Sequence, residues 1–169
     1  MCRMANLHII VRVIHILGAA LWAGSIFFAA WFVIPSVLDA GPDGGKVMGG
    51  VQKRGWMAWA PSIGGITVLT GLWMYWQFYM GGEGHAAMTY GTGGIIGIVA
   101  LILGGSVIGR SLDKARQAAA KVMATPEGPQ RAALAASIRE SQQRALLFSR
   151  VVSVMVIVTL VIMSLGQYL

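Results

Sequence analysis

Acidic side chains are scarce in this chain: six Asp and Glu stand against thirteen Lys and Arg in 169 residues. With no pair of carboxylates in one motif, paired acid–base chemistry has no candidates. There is one cysteine, Cys2, so an internal disulfide, a CxxC redox motif and a cysteine-based zinc site are all excluded. A Ser/His/Asp set and a phosphate-binding glycine loop are missing too. "GTGGIIG" at 91–97 loosely resembles a dinucleotide fingerprint, but no strand precedes it. Internal repeats are absent as well. Only 11% of residues are charged and 56% are hydrophobic, with a mean hydropathy of +0.69. Those values exclude an ordinary soluble domain and point to an integral membrane protein.

What is present is a set of long apolar runs. Four are long enough for a bilayer core, which takes about 20 residues; they cover 7–33, 58–80, 91–110 and 147–167. The expected fold is all-α, a single-domain transmembrane four-helix bundle spanning 1–169. The first run is too long for a signal-peptide core and lacks a small-residue cleavage site, so it is expected to remain as a helix.

The net charge of +7 reflects where the cations sit. Lys46, Lys53 and Arg54 occupy one loop, and Arg110, Lys114, Arg116, Lys121, Arg131, Arg139 and Arg144 another; the opposite side has only Arg3 in its tail, with Glu83 in the 81–90 loop. The positive-inside rule puts both basic loops in the cytoplasm and both termini outside the cytoplasmic membrane. The basic surface then faces anionic lipid rather than nucleic acid. Partners compatible with this pattern are the bilayer, a redox partner or other membrane subunits, and a second copy of the chain.

Residues 111–146 read as a cytoplasmic helical hairpin extending helices three and four. Its arms, "RSLDKARQAAAKVMA" and "QRAALAASIRESQQRALL", are Ala-rich helix formers separated by the turn signal "TPEGP". Each arm would project by about 20 Å at the usual helical rise. Trp56, Trp59, Trp73, Tyr75, Trp76 and Tyr79 read as interfacial belts around the second run. Ala60, Gly64, Thr67 and Gly71, and then Gly93, Gly97, Gly104, Gly105 and Gly109, form small faces that permit close helix approach.

The first run carries an unexpected polar stripe. His8, Arg12, His15 and Trp22 fall at i, i+4, i+7 and i+14, on one helical face. A charge near the membrane centre costs at least ~2.5 kcal/mol on insertion scales, so this face should look into the bundle. Three roles suit His15. It can hydrogen-bond a backbone carbonyl or a Thr hydroxyl on a neighbouring helix. It can ligate a haem iron, since neutral imidazole is a common axial ligand and glycine-rich helices leave room for a flat ring. It can belong to a copper or proton path.

"HILGAALWAGSIFFAAWFVIPSV" at 15–37 and "TGLWMYW" at 70–76 resemble small four-helix membrane proteins related to the copper resistance D family. The His-to-Trp-to-Gly spacing is also similar to the haem-containing membrane protoporphyrinogen oxidase family, and the opening to the N-terminal domain of membrane urate oxidases. The resemblance covers about a third of the chain. It implies a haem b module, with His15 at the matching ligand position. Departures are that apolar residues and Pro35 replace an Arg near the end of helix one, that helix three has no core lysine, and that copper resistance D proteins are larger.

For haem b, Arg12 suits a propionate and Trp22 the pocket wall, while Met74 and Met163 fall at depths that make either a second-ligand candidate. His85 could fold inward, or pair with His8 at the outer surface. The function this suggests is electron transfer or small-molecule oxidoreduction. The alternatives are copper handling by His8, His85, Met80 and Met88 at the outer face, and a cofactor-free subunit of a membrane complex.

The charge asymmetry generates a topology prediction. An impermeant maleimide should label Cys2 on intact cells. In a Cys2→Ser background, a Ser137→Cys variant should react only after lysis. The reverse pattern would invert the orientation.

Overall fold

The computed structural model describes residues 2–82, 84–166 and 168; Glu83 of the expected outer loop lies outside them. Helix α1 runs Cys2–Phe28 and continues unbroken through a π-helical turn, Ala29–Val33, into Ile34–Asp39. A 3-10 turn, Gly41–Asp43, leads to α2, Gly44–Lys53, a short helix where only a loop was expected. Gly55, at φ +81°, takes the left-handed conformation that turns the chain into α3, Trp56–Phe78. Helix α4 comprises His85–Leu103, a second π-helical turn at Gly104–Gly109, and Arg110–Ala124. Helix α5 is Pro129–Leu165. The described residues contain no strand.

Three stretches are long and apolar enough to cross a bilayer: Asn6–Asp39, His85–Ala124 and Pro129–Leu165. Helix α3 covers the expected 58–80 run but falls short of their hydropathy. Its interior Gly, Thr, Trp and Tyr residues dilute the aliphatic content. It packs along α1 and α4, while α5 contacts both α1 and α4, so α1, α3, α4 and α5 enclose a common interior. Beyond this, Arg110–Ala124 lies along the first part of α5, after a reversal through 125–128.

The π turn in α1 has a local cause. Pro35 has no N–H to donate, and its ring crowds the carbonyl four residues earlier, at Trp31. A wider turn just before the proline relieves both problems. It also helps aim Trp31 at α5. The indole Nε1 donates to the Ser153 hydroxyl at 3.1 Å, and the Arg150 guanidinium lies 4.9 Å from the Trp31 ring centroid.

The core sits deeper than the His15 level, around Trp22, Ala23, Ala100, Val152 and Val156. Trp22 is 4% exposed. Leu7, Ile10, Leu17, Leu69, Ile95, Ile102 and Val161 instead face outward, as lipid-contacting side chains would.

The glycine faces divide sharply. A Cβ on Gly64 would come within 2.8 Å of Trp22, one on Gly71 within 2.7 Å of the His15 ring, and one on Gly93 within 3.0 Å of Met163. These are positions of close approach. Gly104, Gly105 and Gly109 meet nothing within 4 Å, which corrects the expectation that they pack helices together. They lie in the π-helical segment, where the backbone departs from α geometry.

Gly64→Ala should therefore destabilise the fold by about 1–3 kcal/mol through overpacking against Trp22. Gly65→Ala, facing open space, should change stability by less than about 0.5 kcal/mol. Unfolding of the detergent-solubilised protein measures both; equal losses would contradict the packing of Trp22 on Gly64.

Candidate functional site

Antiparallel contacts between α1 and α3 set the depth of each polar residue. His8 meets Phe78 edge-on, with ring centroids 4.2 Å apart. Seven residues further in along α1 is His15; seven residues back along α3 is Gly71, the residue His15 lies against. Gly18 then faces Thr67, and Trp22 faces Gly64. Below the His8–Phe78 contact, glycine opposes His15 at Gly71, Thr67 at Gly18 and Trp22 at Gly64, so the helices approach closely without displacing His15.

His15 is half-buried, and its orientation is fixed by α3. Nδ1 lies 2.8 Å from the Thr67 carbonyl and 3.3 Å from the Thr70 hydroxyl. A carbonyl only accepts, so Nδ1 carries the proton and donates it to Thr67. The Thr70 hydroxyl is itself committed to the Ile66 and Thr67 carbonyls. In the neutral ring Nε2 then keeps its lone pair, and it has no hydrogen-bond partner among the described residues. The hydrogen-bonding role expected for His15 is present, and it occupies only one nitrogen.

A cavity of about 500 Å³ opens beside this ring, between α1, α3, α4 and α5. It brings together His8, Arg12, His15, Trp22, Met74 and Met163. Gly71 of α3 and Gly91, Gly93, Gly94 and Gly97 of α4 line it as well; the His15 ring lies over Gly71, Tyr75 over Gly91 and Met163 over Gly93. Most of the remaining lining is aliphatic.

The polar groups gather toward the N-terminal end of α1. Arg12 has no ion-pair partner among the described residues. His8 Nδ1 is buried without a hydrogen bond. Tyr75, Tyr79 and Tyr90 complete this end; the Tyr79 and Tyr90 ring centroids are 4.7 Å apart.

His85 is exposed and does not line the cavity. Met80 and Met88 are exposed as well, in or beside the same loop. No three His, Cys, Asp or Glu residues come together as a metal-binding group among the described residues. His8 and His15 cannot share one metal ion from the same helix, since seven residues separate them by about 10 Å along the axis.

The tyrosines are the site residues that sequence reasoning missed. Tyr75 and Tyr79 read as interfacial belt residues, but they continue the i, i+4 line from Gly71 that faces the cavity. Trp76, one residue off that line, is largely exposed and keeps the belt position. Tyr90 carried no comparable signal.

No family model, curated protein or solved structure matches this chain. The site must be interpreted from its own chemistry.

That chemistry makes a prediction independent of any ligand. In protein labelled with 15N-histidine, His15 should show the neutral tautomer protonated at Nδ1. Gly71→Ala, which puts a methyl group against the ring, should shift this tautomer or broaden its signal. A wild-type His15 protonated at Nε2 alone would contradict the Thr67 bond.

Proposed function

We propose that this chain is a four-helix membrane module that holds haem b in the interior cavity, with His15 as an axial ligand. α3 is the fourth membrane helix in this reading, and Arg110–Ala124 with the start of α5 forms the cytoplasmic hairpin. Both termini lie outside the cytoplasmic membrane. The observation that carries the proposal is the His15–Thr67 hydrogen bond, which leaves Nε2 without a partner on a ring that lines the cavity. A histidine ligand ordinarily donates its other ring N–H to a carbonyl or carboxylate, which fixes the tautomer and strengthens the donor nitrogen.

The remaining lining supports the same ligand. The glycine-rich α4 wall suits a flat macrocycle, and Trp22 supplies an aromatic surface deeper in the cavity. A haem carries two carboxylates, and Arg12 and His8 are the groups without partners at the outer end. A guanidinium forms charge-assisted, often bidentate bonds to a carboxylate. The Tyr75, Tyr79 and Tyr90 hydroxyls provide further polar contacts there.

Bound haem supplies a reversible one-electron couple. This chain's residues hold the ring, set its ligand field through His15 and limit water access through the aliphatic lining. Electron transfer, or oxidation of a small molecule at the tyrosine-lined mouth, is the function this arrangement supports. The copper alternative has less behind it: His85, Met80 and Met88 are exposed, and His85 stands apart from the cavity.

Purified wild-type protein supplied with haem should show a Soret band that sharpens and shifts on reduction. His15→Ala should lose most of the haem while keeping its helical circular dichroism. Arg12→Leu should retain haem but bind it more weakly, by about 1.5–3 kcal/mol for one bond to a charged group. A wild-type preparation that stays colourless after haem is supplied would end this proposal.

A further inference from the structure

His15 accounts for one side of a bound iron; the wall across the cavity decides what meets the other. The α1–α3 wall contains His15, Gly71 beneath its ring, and Met74 three residues further along α3. Met74 thus shares the helix that accepts the His15 hydrogen bond and stands on the histidine's side of the cavity. A ring held by His15 would have the α4–α5 wall across the cavity from that ligand. Of the cavity residues on that wall, Met163 is the only one with a thioether, and none carries an imidazole.

Met163 is held in the cavity wall by its packing on Gly93 of α4. A Cβ on Gly93 would come within 3.0 Å of Met163 Cγ and 3.3 Å of its Cε, so glycine at this position makes room for the side chain. The neighbouring hydroxyls are already committed: Thr159 donates to the Met155 carbonyl at 3.0 Å and Ser164 to the Leu160 carbonyl at 2.7 Å.

We propose that Met163 is the second axial ligand, completing a histidine–methionine pair across the cavity. The proposal rests on the haem reading above. A thioether opposite an imidazole raises the reduction potential and gives a six-coordinate iron.

Spectroscopy separates the two claims. Haem-loaded wild type should be low-spin in the ferric state, with the weak near-infrared charge-transfer band of a thioether-bound iron. Met163→Leu, a near-isosteric change, should keep its haem, lose that band, become high-spin and bind carbon monoxide readily when reduced. Met74→Leu should leave the band and spin state unchanged. Met163→His should remain low-spin without the band, which provides a test even if the leucine variant folds poorly. Haem-loaded wild type that is high-spin, or a band that survives Met163→His, or one lost in Met74→Leu, would overturn the ligand assignment while leaving haem binding intact. Failure of the wild type to take up haem at all would instead remove the reading beneath it.

Discussion

The hydrogen bond from His15 to the Thr67 carbonyl organises the interior of this protein. It crosses between α1 and α3 at one level and fixes which imidazole nitrogen is protonated. It requires close helices, and the sequence provides for that with Gly71 under the ring and Gly18 against the Thr67 side chain. Thr67 in turn sends its hydroxyl to the Ile63 carbonyl, so it offers α1 its backbone oxygen and not a competing donor. Trp22 on Gly64, seven residues below His15, extends the same seam into the core.

The second constraint is electrostatic. An arginine and a buried imidazole nitrogen without protein partners are expensive to keep in an apolar setting. Here both belong to residues that line the cavity near the N-terminal end of α1, with the Arg12 side chain exposed and His8 Nδ1 buried. Toward the other end the polar lining is self-contained, because the hydroxyls of Thr67 and Thr159 each donate to a carbonyl of their own helix. The cavity is therefore polar at one end and apolar at the other, which matches an amphiphilic flat ligand better than an ion.

Periodicity made much of this visible in advance. The spacing of His8, Arg12, His15 and Trp22 placed them on one face, and all four line the cavity. Helices through all four apolar runs were equally legible, although α3 is less apolar than the others because its glycine, threonine and aromatic positions serve the interior. Contacts that depend on partner geometry were not legible. A backbone carbonyl as the acceptor for His15 has no side-chain signature in a sequence. Neither does the sorting of glycines, since Gly93 and Gly104 look alike until one meets Met163 and the other open space. The π turn before Pro35 was hidden as well: the first apolar run covers 7–33, whereas the helix widens at Ala29–Val33 and continues to Asp39.

The most direct test of the central claim is a titration of haem into the apoprotein, reconstituted in lipid nanodiscs and followed in the Soret region. A cavity with one fixed imidazole predicts saturation at one haem per chain, with nitrogen hyperfine coupling from 15N-histidine at the ferric iron. Haem that partitions without a stoichiometric endpoint, or a bound iron showing no histidine coupling, would contradict it.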